Sequence, residues 1–468
     1  MTRVYEADWL ASQPVFYNEV TGSVSYNIND VIDFANMDID PEGFNNFLDF
    51  GYSVLGQTPV RHVKFLPHSC RLTVHDDGRL EVEHLPDPVE QWMGRTSHEN
   101  DVLHHLQTTI RQWEKSVEGE IVIPTSGGYD SRLLNFFIAD KSRIRSFTYG
   151  LSDNQSASYE VIYARKLAEL LSTHWEQIEL GSYHLYFDDW DKLFGVSTHA
   201  HGMYHFEFYT KVKRRVAGTN PVLSGVIGDA WAGSVRVLEV NDIRQLSNLG
   251  YTHGMRADPG ESLLDDNGEL RSRYFSQVYE RIRDPLFNVV EAMRFKMILL
   301  SYLMRLPSSL GFHPWSPFLY VDISLGMATL PPERRRDRRW QRDFFEMNGI
   351  DFEQMELRVD NHNTLNQVAM DRVPLIPLDD GLLSEVVNQQ YVRWINKLVS
   401  PRSALRRLFQ RAYPQLIRIR GGYRPYQWFS AWDHNKSSER LTAYFAYLTL
   451  KPIETLLRKR NQAQAAAR

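Results

Sequence analysis

The sequence predicts an α/β protein with a parallel-sheet domain at its centre, a β-rich region before it and a helical region after it. Three observations predict this. From about residue 98 to about 330, helical periodicity alternates with short apolar runs, the pattern of a parallel sheet. Before about residue 95, short apolar runs are broken by turn residues. Beyond about residue 331, strand signal fades and arginine-rich helical pattern takes over. We divide the chain into 1–95, 98–345 and 346–468, the last region packing on the sheet domain.

At 468 residues the chain is too long for one ordinary domain. Hydrophobic residues make up 43% and charged residues 24%, typical of a soluble globular protein, and the net charge of -5 calls for neither nucleic acid nor an anionic membrane. The single cysteine, Cys70, excludes an internal disulfide framework and a cysteine-based zinc cluster. Met1-Thr2-Arg3-Val4-Tyr5-Glu6 carries no apolar signal core, and the apolar stretch Met297 to Met304 is broken by Ser301, far short of a membrane span. We expect a cytoplasmic protein without transmembrane segments.

In the first region Val15-Phe16-Tyr17-Asn18, Gly22 to Tyr26, Val63 to Leu66, Leu72-Thr73-Val74 and Leu80-Glu81-Val82 read as strands. Asp76-Asp77-Gly78 reads as a hairpin turn and Pro41 to Phe50 as a helix. In the second, a helix from about Asn100 to Glu118 leads into the strand Glu120 to Ile123. A helix from Asp130, the strand Ile144 to Tyr149, a helix from about Ser156 to Leu171 and strands at Trp175 to Leu180 and Pro221-Val222-Leu223 follow.

Between the strand ending at Ile123 and the helix from Asp130 lies Pro124-Thr125-Ser126-Gly127-Gly128-Tyr129-Asp130-Ser131-Arg132. Paired glycines let backbone approach an anion closely, and the amides opening the next helix favour negative charge. Ser126 and Ser131 add hydroxyls. Asp130 would repel phosphate directly, so its use is to hold a divalent cation that touches the phosphates. Arg132 opens the helix beside the loop and is expected to meet a phosphate or a substrate carboxylate. A second strand, Pro221-Val222-Leu223, ends in Ser224-Gly225-Val226-Ile227-Gly228-Asp229-Ala230-Trp231-Ala232-Gly233, again glycines and an acid. In an open α/β sheet ligands sit at the carboxyl ends of strands, so Asp130 and Asp229 could face one Mg²⁺ and one nucleotide.

These elements resemble the asparagine synthetase-like family of N-type ATP pyrophosphatases (adenine nucleotide alpha hydrolase-like). Its Ser-Gly-Gly-x-Asp-Ser loop matches Ser126, Gly127, Gly128, Asp130 and Ser131; its Ser-Gly-Glu-Gly-x-Asp-Glu motif with a following Gly matches Ser224, Gly225, Asp229 and Gly233. Ser316-Pro317-Phe318-Leu319, Leu330-Pro331 and Glu160-x-x-Tyr163-Ala164 are similar to further family patterns. The likeness covers about 98 to 345; the first region is similar, more loosely, to the family's Ntn-type glutaminase domain. The resemblance implies ATP and Mg²⁺ as cofactors and formation of an acyl-adenylate with release of pyrophosphate, then attack by a nitrogen nucleophile. It places Ser126 to Ser131 on pyrophosphate, Asp130 and Asp229 on Mg²⁺, and Ser224 and Gly225 on adenine.

The departures narrow this. Where the family's glutaminase has a cysteine after the initiator methionine, this chain has Thr2 followed by Arg3, so the first region reads as a degenerate glutaminase. Cys70 reads as a small core residue. The family's two motif glutamates align with Val226 and Ala230, so true asparagine synthesis is not expected. The family's late catalytic lysine has no evident counterpart; Arg358 and Arg420 are candidates to hold phosphate charge.

His199, His201 and His205 with Glu207 have spacing open to zinc, to a surface position or to a substrate wall between two strands. The arginines of Pro401 to Arg424 read as a solvated face, a lid over pyrophosphate or an attachment to an anionic partner, and the dense stretch Glu333 to Arg342 as surface. The reading is an ATP-dependent, AMP-forming amide ligase with Asp130, Asp229 and Arg132 in catalytic roles. It acts on a small-molecule, sugar or peptide carboxylate with ammonia or an amine, uses no nucleic acid, and is compatible with a homo-oligomer. The alternative is a nucleotide-binding pseudo-enzyme acting as scaffold or partner.

Overall fold

The computed structural model describes residues 2–235, 237–250, 254–353, 355, 357–401, 412, 415, 416 and 423–467. The first region supplies β1 (Arg3–Ala7), β2 (Phe16–Asn18), β3 (Val24–Ser25), α1 (Pro41–Phe50), β4 (Val63–Phe65), β5 (Cys70–Val74) and β6 (Leu80–His84). They form two antiparallel sheets of three strands, in orders β1-β5-β6 and β3-β2-β4. The edge strand β1, with Arg3 opposite Val74, has no clear alternation in sequence and is recruited by pairing with β5. Local chemistry sets α1: the Asp40 side chain accepts from the Gly43 amide and Pro41 opens the first turn.

The central sheet has five parallel strands in the order β11-β10-β7-β8-β9. They are β7 (Ile121–Pro124), β8 (Ile144–Thr148), β9 (His174–Gln177), β10 (Pro221–Leu223) and β11 (His313–Trp315). Helices α2 (Glu99–Ser116), α3 (Tyr129–Phe137) and α4 (Tyr159–Leu171) alternate with β7, β8 and β9. Ile121, Val122 and Ile123 are all fully buried, as both faces of a helix-covered parallel strand must be. β11 was not apparent in the sequence, because His313-Pro314-Trp315 lacks β-branched residues and becomes a strand by pairing with β10.

Helices dominate beyond residue 331, among them Gln389–Val399 and the long Tyr423–Ala467. One hydrophobic core joins Leu10 and Phe47 of the first region to Val122 and Val222 of the sheet and to Tyr444 and Leu457 near the end of the chain. Among the described residues, no helix is long and apolar enough to cross a membrane.

Candidate functional site at the strand-order switch

From β7 the chain moves outward through β8 to β9, then returns to lay β10 and β11 on the other side of β7. The order reverses between β7 and β10, where Val122 pairs with Val222. Loops leaving two such strands diverge and open a crevice at their carboxyl ends. Ser126–Ser131 and Ser224–Gly233 are those two loops.

The first loop is held by its own polar groups. The Thr125 amide donates to the Phe147 carbonyl at 2.9 Å, and the Thr148 hydroxyl donates to the Thr125 carbonyl at 2.5 Å. The Ser126 amide donates to Ser131 Oγ at 3.2 Å and the Gly128 amide to Ser126 Oγ at 3.1 Å. Ser131 is buried and braces the turn, whereas Ser126 is exposed. Gly127 is required by close approach, because a Cβ there would sit 2.5 Å from the Tyr159 ring. Helix α3 starts after Gly128 with no side chain capping its first turn, so its leading amides remain open to an anion.

The second loop leaves β10 with the Ser224 amide bonded to the Trp315 carbonyl at 2.9 Å. Ile227 takes a left-handed conformation (φ 54°) and turns the chain back on the first loop. A Cβ at Gly228 would lie 2.9 Å from both Asp130 Cγ and the Phe318 ring, so only glycine lets the loops interlock. The Trp231 indole donates to the Phe318 carbonyl at 3.0 Å, which gives Pro317-Phe318-Leu319 its task as the floor of this turn. Trp9 packs against Trp231 with ring centres 5.5 Å apart and the planes tilted by 32°, so the first region also supports the turn.

Asp130 is thereby pressed against the Gly228-Asp229 turn. Burial raises its pKa well above the ordinary carboxylate value, the Asp229 charge raises it further, and the Asp229 backbone amide bonds to it. Its Oδ1 is sealed from solvent and has no hydrogen-bond partner, while the neighbouring Gln341 side chain and the Arg338 charge work against the rise. Asp229 itself is exposed, with Ser234 Oγ 3.4 Å from its Oδ2. An unsatisfied buried carboxylate oxygen beside a second, exposed carboxylate fits a divalent cation shared with a ligand phosphate. Among the described residues there is no cluster of three or more His, Cys, Asp or Glu that would hold a metal on its own.

Arg132 does not face this crevice. Its side chain is 1% exposed and its guanidinium meets Glu353 at 2.6 Å, stacked over the Phe352 ring at 3.9 Å. Burial works against the Glu353 charge, but the Arg132 hydrogen bond overrides it and holds that carboxyl down to about 2. The anion expected beside Arg132 is therefore a carboxylate of the chain, a partner more than 200 residues away that no local pattern reveals.

Other cations stand where the sequence suggested only surface. Arg336, Arg338 and Arg342 line a pocket of about 310 Å³ with Tyr129, Gly233 and Ser234, and Arg338 lies 4.4 Å from the centre of the Tyr129 ring. Arg334, by contrast, pairs with Glu99 and with Asp343. Arg358 is exposed. Arg402, Arg406, Arg407, Arg411, Arg418 and Arg420 lie outside the described residues.

Across Asp229 lies a second pocket, of about 340 Å³, lined by His199, His201, Lys296 and apolar side chains. His199 is 2% exposed, and His201 and His205 are partly buried; they lie on a short turn and on the helix Met203–Lys213, not between strands and not on the surface. Desolvation holds His199 and His205 down to about 3 and His201 to about 4, so all three are neutral near pH 7. Glu207 is turned away to the amides of Gly181 and Ser182 and to Lys211. Cys70 is fully buried, and burial pushes its thiol up to about 11. Val226 and Ala230 are buried apolar contacts of the second loop.

No family model matches the chain, and no curated protein matches it. Among solved structures, the chain is similar to the NH3-dependent NAD synthetase from Campylobacter jejuni subsp. jejuni NCTC 11168, in complex with the nitrate ion. The identity is 12%, the match covers 44% of this chain and 95% of that chain, and the TM-score is 0.25.

Proposed function

We propose that this protein is an ATP-dependent ligase that adenylates a carboxylate, releases pyrophosphate, and passes the acyl group to ammonia or an amine with release of AMP. The observation that carries the reading is the seating of Asp130 against the Gly228-Asp229 turn, at a strand-order switch and beside a serine-glycine loop. A turn with no ligand to hold has no need of a buried carboxylate oxygen without a partner.

Ser126, the backbone of Gly127 and Gly128 and the open amides of α3 are the groups to receive the pyrophosphate portion of ATP, with Ser131 bracing the loop beneath them. Arg338 adds fixed positive charge at its edge. Ser224 and Gly225, on the tip of β10, are assigned to the adenine side. Asp130 and Asp229 are the residues to hold Mg²⁺, which when bound neutralises charge on the phosphates and on the leaving pyrophosphate. Arg132 keeps a positioning role, tying the first turn of α3 to Glu353. Attack of a carboxylate oxygen on the α-phosphorus breaks the bond to pyrophosphate; the nitrogen lone pair then attacks the acyl carbon and AMP leaves with the bonding pair. Val226 and Ala230 offer no base there, so the nitrogen arrives as a neutral amine or as ammonia and loses its proton to water. Cys70, buried and held protonated, is no glutaminase nucleophile.

The test is exchange of labelled pyrophosphate into ATP across a panel of acids. Asp130→Ala is expected to lower acid-dependent exchange by about 100-fold or more, the scale of losing one preorganised charge-stabilising group. ATP binding without exchange on any acid would overturn the ligase and favour the scaffold reading, which the apolar Val226 and Ala230 also suit.

A further inference from the structure

The pocket beyond Asp229 has a chemistry that restricts what can be adenylated. Its walls come from segments distant in sequence: the second loop at Ile227 and Ala230, the helix Pro285–Leu300, and Met255. Along that helix, Met293, Lys296 and Leu300 follow one another at spacings of three and four and so share one face. The lining is apolar apart from a few tips. Lys296 makes no hydrogen bond or ion pair among the described residues, and burial lowers its pKa while the Asp229 charge opposes the shift. His199 receives the His201 amide on Nδ1 at 3.2 Å, which leaves its Nε2 as the protonated nitrogen, and Nε2 is buried without a partner.

We propose that this pocket binds the acyl substrate, and that the substrate is an apolar monocarboxylic acid, aliphatic or arylalkyl, whose carboxylate is drawn to Lys296 beside Asp229 while its hydrocarbon body lies against Met255, Met293 and Leu303. The class follows from the character of the walls. Lys296 is the one ammonium of the lining and can serve one carboxylate; the His199 and His201 rings are neutral, the Tyr204 and Tyr302 hydroxyls bond to each other, and Asp229 stands at the edge. An amino acid such as aspartate brings a second carboxylate, for which the lining has no second cation and which Asp229 would repel, and a sugar acid brings several hydroxyls that would be stripped of water against methionine and leucine side chains. A volume of about 340 Å³ lies at the small end of ligand sites, roughly 300–1,000 Å³, and suits an acid of fragment size. The reaction assigned to such an acid rests on the ligase reading, but the binding does not.

Binding of octanoate, 4-phenylbutyrate, aspartate and glucuronate to the full chain would be measured by calorimetry without ATP or metal, alongside pyrophosphate exchange with each acid. The two apolar acids are expected to bind at least tenfold more tightly than the two polar ones. Lys296→Met, which keeps the side-chain length, is expected to weaken them at least tenfold, and Met293→Trp to block them while ATP affinity is unchanged. Equal or tighter binding of aspartate or glucuronate overturns the proposal, as does a Lys296→Met protein that binds octanoate normally and loses ATP affinity instead. Lys296-dependent binding with no exchange for any acid supports the pocket and sinks the ligase. Exchange with a polar acid alone does the reverse.

Discussion

On the Ser126 side of the crevice, polar groups crowd together: two serine hydroxyls, open helix amides, Asp130, and Arg336, Arg338 and Arg342 around one cavity. On the Lys296 side, a pocket of similar volume has a single ammonium, two neutral imidazoles and two tyrosines set among methionine and leucine, with Asp229 at its border. Asp229 borders the second pocket and also acts on Asp130. The difference teaches that the two halves would recognise ligands by opposite means. The first has little apolar wall and relies on charge and oriented dipoles; the second has few polar groups and relies on excluding water from hydrocarbon.

The comparison is broken most severely at Arg132, whose charge belongs to neither half. Arg132→Met should cost about 2 kcal/mol, since Arg132 is buried and loses its charged hydrogen bonds, while the Glu353 side chain, 30% exposed, regains water. Chemical denaturation would read the loss, and octanoate affinity in the folded protein should stay within twofold. An unchanged denaturation midpoint would return Arg132 to the list of ligand-binding candidates.

A smaller effect sharpens the charged half. Arg338→Ala should weaken ATP or pyrophosphate binding about tenfold, about 1.4 kcal/mol, without altering octanoate affinity. Loss of octanoate binding in that variant would mean that the two pockets are not separate in function.

The smallest effect concerns Asp130. Its folded-state pKa is raised from 3.8 to about 7, so the metal-free protein binds more protons than the unfolded chain across that interval. Its contribution to stability is therefore full below pH 3.8 and is lost as pH rises toward 7. Asp130→Asn should remove this loss, giving a melting temperature at pH 7 roughly 1–3 °C above that of the parent and no gain near pH 4. Mg²⁺ should raise the parent's melting temperature at pH 7 and leave the variant's unchanged. A variant less stable at pH 7 would show that Asp130 is an ordinary structural carboxylate.

How much of the site was legible can be traced residue by residue. Ser126 to Ser131 form one turn between a strand and a helix, so the glycines, the hydroxyls and the open amides are all specified within six consecutive positions. The partner of Asp130 could be guessed because β10 ends in a second glycine-acid turn. Arg132 misled because its neighbours in sequence are a phosphate-type loop, while its neighbours in space are Glu353, Phe345 and Phe352. Arg338 read as surface because a run of arginines is most often solvated; Asp337 and Arg338, both left-handed, turn this run toward Tyr129. Lys296 carries no motif: two cations, Arg294 and Lys296, interrupt the apolar pattern Ala292 to Leu300, and only the structure shows that Arg294 is paired with Asp87 and Glu291 while Lys296 lines the pocket.

The sequence by itself determined what depends on short range: the α/β alternation, the capped helix at Pro41–Phe50, the strand-turn-helix at Ser126 and the glycine-rich turn after β10. Each is set by periodicity or turn chemistry within a dozen residues. Only the tertiary structure decided that Asp130 rests on Gly228, that Arg132 is consumed by Glu353, and that Lys296 and His199 share one apolar pocket. Those contacts join positions tens to hundreds of residues apart. They are selected by the order of strands in the sheet and by burial, neither of which leaves a mark on any one stretch of chain.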